Sequence, residues 1–199
     1  MPSFYPTLPD ALLEAGGVRL PEREENTQYE ELILVGHSLG GVVIRRALID
    51  SAEDWTQRLA QDAEAERPRI LDGQVYLFSP ATAGFRPAGW MGFLRSGPTW
   101  CLVEMQLRRS SAYSDLQLDS EVLRRTKQRT EAALASPKAA DLDALRARIL
   151  WANPDDVVVS DRYDTDFVDH FIDGPTHRSV CKPNARYEAP WRFVETGRP

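Results

Sequence analysis

Hydrophobic residues fall in short runs separated by polar, proline-marked segments. The run Leu32 to Val35 is rich in β-branched residues and reads as a buried strand. After Gly36-His37-Ser38-Leu39-Gly40-Gly41, the residues Val42, Val43, Ala47 and Leu48 recur at helical spacing. A helix is expected over 42–67, stopped by Pro68. Its charged residues, among them Arg45, Arg46, Asp50, Glu53, Asp54 and Arg58, form a polar face suited to solvation and i,i+4 pairing. Gln74 to Phe78 reads as a second strand, led by Asp72-Gly73, and Arg148 to Ala152 as a third. Asp166 to Asp173, with Phe167, Val168, Phe171 and Ile172, reads as a last strand with acidic flanks. Ser136-Pro137 opens a short helix, Ser as N-cap and Pro at the first position, with Leu142 and Leu145 on its apolar side. Strands alternating with helical segments predict an α/β fold, a mostly parallel sheet flanked by helices.

Other stretches are less regular. In 1–31, Pro2, Pro6, Pro9 and Pro21 interrupt the pattern, and Asp10 to Ala15 forms at most a short helix ended by Gly16-Gly17. Glu22 to Glu31 is acidic and polar, and no strand is evident before Leu32. Residues 85–118 crowd Phe85, Trp90, Met91, Phe93, Leu94, Trp100 and Met105 among glycines and prolines. This is either a lid or acyl-binding wall or a plain cover over the core, and the insertion extends over 85–145. The basic residues Arg124, Arg125, Lys127 and Arg129 read as a solvated helix face rather than a phosphate site. The polar tail from Glu188 carries Trp191 and Phe193 and is expected to cap the sheet.

Composition narrows the function classes. A chain of 199 residues with 42% hydrophobic residues is expected to form one domain, 1–199, with a substantial core. A net charge of −6 argues against a nucleic-acid partner. No apolar run approaches the roughly 18 residues that span a bilayer. Met1 to Asp10 lacks the basic and apolar regions of a signal peptide, so a cytoplasmic location is expected. Cys101 and Cys181 set no disulfide framework, and three histidines without a Cys/His cluster argue against a structural zinc site.

The candidate chemistry sits at residues 31–48. Strand, Gly-rich turn and helix is the setting that a Gly-x-Ser-x-Gly elbow requires. The turn holds its central residue strained, and Gly36 and Gly40 leave room for strand and helix to pack closely. Ser38 is pushed above the sheet at a helix start, where free N–H groups and the helix dipole favour negative charge.

Gly36-His37-Ser38-Leu39-Gly40-Gly41 resembles the nucleophile elbow of the α/β-hydrolase superfamily, in its lipase and esterase branch. The family's order then requires an acid and a His downstream. Asn153-Pro154-Asp155-Asp156-Val157-Val158-Val159 resembles the acid turn, with Asp155 matching the acid; the adjacent Asp156 is the alternative, and a capping role for one of the pair is open. Gly174-Pro175-Thr176-His177-Arg178-Ser179-Val180-Cys181-Lys182-Pro183 looks like the branch's His loop, with His177 the third match in order. His170 reads as structural, and His37 is a weak alternative base. Ser79 to Gly84 looks like the small-residue loop beside the site, and 111–125 is similar to a stretch of GPI-inositol-deacylase-like hydrolases.

The resemblance implies a serine hydrolase cleaving carboxylic esters, small-molecule or lipid, through an acyl-enzyme. Ser38 is the nucleophile, His177 the base, Asp155 its orienting acid, and Leu39 N–H an oxyanion donor. No cofactor or metal is expected, since such a triad needs none. The family places strands and a second oxyanion donor upstream of the elbow, and neither is evident here. The chain therefore reads as an N-terminally truncated α/β-hydrolase, with a naturally minimal member and a partner chain that supplies the missing half as alternatives. Its elbow strand exposes an edge that a partner chain or dimer would cover. Two alternatives stay open: another acyl transfer (thioesterase or acyltransferase), and an inactive remnant that binds a partner through that edge.

Overall fold

The computed structural model describes residues 31–86, 117–118 and 120–199. The chain divides after Glu31, and Leu32–Pro199 forms one compact unit. Among the described residues its sheet has four strands in the order β1 (Ile33–His37), β2 (Gln74–Phe78), β3 (Ala147–Asn153) and β4 (His170–Asp173), and every pairing between them is parallel. Three α-helices accompany it among the described residues: α1 (Leu39–Gln61), α2 (Glu121–Leu134) and α3 (Ala189–Thr196). Short 3-10 segments at Arg69–Asp72 and Ala139–Leu145 precede β2 and β3.

The two central strands are apolar almost throughout because both their faces are covered. Alternation divides them cleanly. Val75, Leu77, Ala147, Ile149 and Trp151 join the larger core with Leu48, Ile49, Ala52 and Trp55 of α1. Tyr76, Phe78, Leu150 and Ala152 face the other way, onto Val180 and Phe193 of the C-terminal segment. Phe193 meets Tyr76 and Phe78 edge-on, with ring centroids 5.5 and 5.4 Å apart. The tail thus covers the sheet through Phe193, whereas Trp191 stands out in solvent.

α1 begins three residues earlier than periodicity suggests and ends at Gln61, before Pro68. Its buried residues Gly41, Arg45, Leu48, Ile49, Ala52 and Trp55 recur every three or four positions. The expected close approach to the strand is real, but Gly41, not Gly40, makes it possible. A Cβ on Gly36 would lie 2.8 Å from Ile44 Cδ1 and 3.0 Å from Gly41 Cα. One on Gly41 would lie 2.7 Å from Pro80 Cβ, while one on Gly40 would meet nothing within 4 Å.

The predicted lid-like region 85–145 divides. Residues 87–116 and 119 lie outside the described residues, whereas α2 and the following 3-10 segment bury Leu134, Leu142 and Leu145 in the larger core. The α-helix lies at Glu121–Leu134, with the hydroxyl of Ser120 accepting from Leu123 N–H. The short helix expected after Ser136-Pro137 is the 3-10 segment Ala139–Leu145, which buries Leu142 and Leu145 but is preceded by Lys138 rather than capped by Ser136. Arg129 does more than face solvent: it binds Glu53 and Asp50 of α1 at 2.5–2.7 Å and ties the two helices together.

β4 is shorter than expected because Asp166 is engaged elsewhere. Its buried carboxylate pairs with Arg45 of α1 through both oxygens, at 3.1 and 2.5 Å. It also accepts the N–H groups of Ala147, at the start of β3, and Tyr163. The Arg45 guanidinium lies 3.9 Å from the centre of the Tyr163 ring. At the opposite margin, β1 pairs with β2 alone among the described residues, and Ile33 and Val35 are 40% and 52% exposed. No helix among the described residues is long and apolar enough to cross a membrane.

The glycine geometry gives a direct test. Gly41→Ala is expected to lower stability by about 1–3 kcal/mol through overlap with the Pro80 ring, with Gly40→Ala neutral or mildly stabilising. Urea denaturation of both variants beside the parent measures the difference, and equal midpoints would show that the packing can relax.

Candidate active site

Four loops leave the sheet at the C-terminal ends of its strands, the side on which parallel α/β sheets place their sites. Ser38 follows β1 directly and precedes α1. Its backbone has φ 54° and ψ −122°, a conformation that L-residues rarely adopt. Three hydrogen bonds hold it there. Ser38 N–H donates to Phe78 C=O, and Ser38 C=O accepts from both Gly41 and Ala81 N–H, each at 3.1 Å. The Ser38 side chain makes no capping bond to the helix, so its hydroxyl is available for other contacts. Leu39 N–H, in the first turn of α1, is among the donors that a helix start leaves without intrahelical partners.

Asp155 lies in the turn after β3. Its Oδ1 accepts from Val157 and Val158 N–H, each at 3.0 Å. It therefore caps its own turn, and that cap aims Oδ2 at His177, whose Nδ1 lies 2.9 Å away. Asp155 thus both caps its own turn and hydrogen-bonds His177. Asp155 is buried and Asp156 is exposed.

His177 follows β4 and is 1% exposed. With Nδ1–H donated to a carboxylate, Nε2 is left as the acceptor. It lies 3.0 Å from Ser38 Oγ. The His177 loop is anchored by Val180 in the smaller core, by Tyr187 O–H donating to Val180 C=O, and by Thr176 N–H donating to Ser179 Oγ. Ser38, His177 and Asp155 thus form one continuous hydrogen-bonded line, drawn from the ends of three strands.

Ser79 is the site residue that sequence reasoning did not single out. It occupies the position after β2 that Ser38 occupies after β1, and it too has a positive φ, 39°. Fully buried, it accepts Ala152 N–H at 3.0 Å and hydrogen-bonds the Asp155 carboxylate. Nothing in Ser79-Pro80 marks a positive φ; only its place at a strand end beside the elbow was a signal. Burial works against the Asp155 charge, but hydrogen bonds from His177, Ser79 and Val158 N–H outweigh it and hold the carboxyl below its ordinary range.

The other candidates take different places. His37 points its Nε2 at His177 C=O, 2.7 Å away, so that nitrogen does not serve Ser38. His170 meets Phe193 edge-on, as a packing residue. Cys181 is half-buried, and burial pushes its thiol pKa up. No group of three His, Cys, Asp or Glu residues is placed to hold a metal ion among the described residues. Residues 1–30, where the resemblance would seek a second oxyanion donor, lie outside the described residues.

No family model matches the chain, and neither a curated protein nor a solved structure does.

The depressed Asp155 pKa has a signed consequence. Its charge contributes stability above the unfolded carboxyl pKa, about 3.9, and this is lost as pH falls through the lower folded value. Asp155→Asn is expected to cost about 1–3 kcal/mol at pH 7, with the gap from the parent closing below pH ~4. Asp156→Asn should stay within about 0.5 kcal/mol at both. Denaturation curves at pH 7 and pH 3 check this; a gap that widens in acid would contradict the assigned bonding.

Proposed function

We propose that this protein is a serine hydrolase of the α/β-hydrolase type that cleaves carboxylic esters. One observation carries the reading: Ser38 Oγ, His177 and Asp155 are linked by hydrogen bonds of 3.0 and 2.9 Å, with Ser38 in a strained turn at a helix start. A serine hydroxyl is a weak nucleophile at its own pKa and needs a base within hydrogen-bond reach. His177 Nε2 takes the Ser38 proton as Oγ bonds to the ester carbonyl carbon. The resulting imidazolium is stabilised by the Asp155 carboxylate across Nδ1–H. Negative charge collects on the former carbonyl oxygen, where Leu39 N–H and the start of α1 favour it. Collapse returns the His177 proton to the departing alkoxide and leaves an acyl group on Ser38. Water, deprotonated by His177, then releases the acid and restores the hydroxyl. A thioester substrate would pass through the same steps with a thiolate leaving, and an alcohol in place of water would make the chain an acyltransferase.

A second reading has an observation of its own. Among the described residues β1 pairs on one side only, and this with exposed Ile33 and Val35 suits an inactive, partner-binding relative of such enzymes. Hydrolysis of p-nitrophenyl butyrate separates the two. The enzyme reading expects turnover in the parent chain, covalent fluorophosphonate labelling at Ser38, and loss of both in Ser38→Ala. His177→Ala should lower kcat by at least about 1,000-fold. Turnover that survives Ser38→Ala would remove the nucleophile assignment; a folded parent that neither turns over nor labels would favour the partner-binding reading.

A further inference from the structure

His37 is half-buried beside the site, and the acyl-transfer steps above make no use of it. Its position is specific. The Nε2 atom lies 2.7 Å from the main-chain oxygen of His177. The two imidazole rings lie 4.9 Å apart, centre to centre, tilted by 44°. A carbonyl oxygen only accepts, so Nε2 must carry the proton, and the neutral ring has its hydrogen there and not on Nδ1. Burial lowers the His37 pKa, which favours the neutral ring at neutral pH.

We propose that His37 is a positioning residue: its Nε2–H, donated to His177 C=O, fixes the His177 loop at the height where the His177 ring bridges Ser38 and Asp155. This inference rests on the Ser38–His177–Asp155 reading. The loop's Thr176–Ser179 and Val180–Tyr187 hydrogen bonds act within the C-terminal segment, and Val180 packs on β2 and β3. The His37 bond ties it directly to β1, the strand that ends at Ser38. A base must meet its nucleophile within a few tenths of an ångström, and a displacement of about 1 Å can cost on the order of 100-fold in rate.

Glutamine and methionine have similar length, but only glutamine carries an N–H at its end. The test compares His37→Gln and His37→Met with the parent and with Ser38→Ala. His37→Met is expected to lose on the order of 100-fold in kcat, with KM and melting temperature close to the parent's, and His37→Gln should recover most of the loss. Parent-like kcat in His37→Met, or equal losses in both variants, would overturn the inference. A second measurement needs neither turnover nor a substitution. Nitrogen-15 NMR of the parent at neutral pH should show His37 protonated at Nε2 and unprotonated at Nδ1, and the opposite tautomer would overturn the inference. In the NMR of folded variants, the low-field Nδ1–H signal of His177 should persist in His37→Gln and broaden in His37→Met; an unchanged signal in His37→Met would count against it. If Ser38→Ala keeps full activity, the hydrolase reading fails, while the NMR outcomes still decide the placement of His37.

Discussion

The backbone of Ser38 is the constraint on which the rest depends. A non-glycine residue at φ 54° and ψ −122° costs about 1–3 kcal/mol and persists only where its surroundings over-determine it. Here they do. The residue is pinned to the β2 strand end by its own N–H, and its carbonyl receives N–H groups from α1 and from the loop after β2. Close packing of Gly36, Gly41 and Pro80 leaves strand and helix little freedom to relax the turn. A register shift of β1 against β2 would break the Ser38–Phe78 bond and move the hydroxyl away from His177.

Two buried carboxylates organise the structure. Asp155 is supplied with donors from its own turn, from Ser79 and from His177, which stabilises its charge where it is buried. Asp166 joins α1 to the start of β3 through Arg45 and Ala147 N–H. The helix that starts at Ser38 is therefore fastened to the strand that ends before Asp155. A paired buried ion of this kind adds little net stability, but losing one partner would strand the other charge in the core.

The parts legible in the sequence were those where one physical signal dominated. β2 and β3 stood out because burial on both faces makes them apolar runs, and the Ser38 turn because strand, glycines and helix agree locally. Long-range contacts hid other features. The Asp166–Arg45 pair shortens β4, and neighbouring residues give no sign of it. Gly40 and Gly41 are alike in sequence, and only the approach of Pro80 distinguishes them. Asp155 and Asp156 are likewise adjacent, and burial and backbone caps separate them. The Ser136-Pro137 signal is followed by a short 3-10 helix, not an α-helix, with Leu142 and Leu145 buried as their spacing suggests. The tilt of His37 toward the His177 carbonyl is purely tertiary.

The sheet's connectivity also bears on how the chain reaches this state. Each strand lies parallel to its neighbours, and among the described residues no strand pair closes through a tight hairpin. Ile33 waits for Gln74, Val75 for Ala147, and Leu150 for His170. Such high contact order slows folding, since loop closure must precede the reward of pairing. During synthesis, Val75, Leu77 and the β1 run Ile33–Val35 emerge before β3 exists to cover β2. That interval, rather than the finished fold, is where this chain is most open to aggregation and most in need of chaperones.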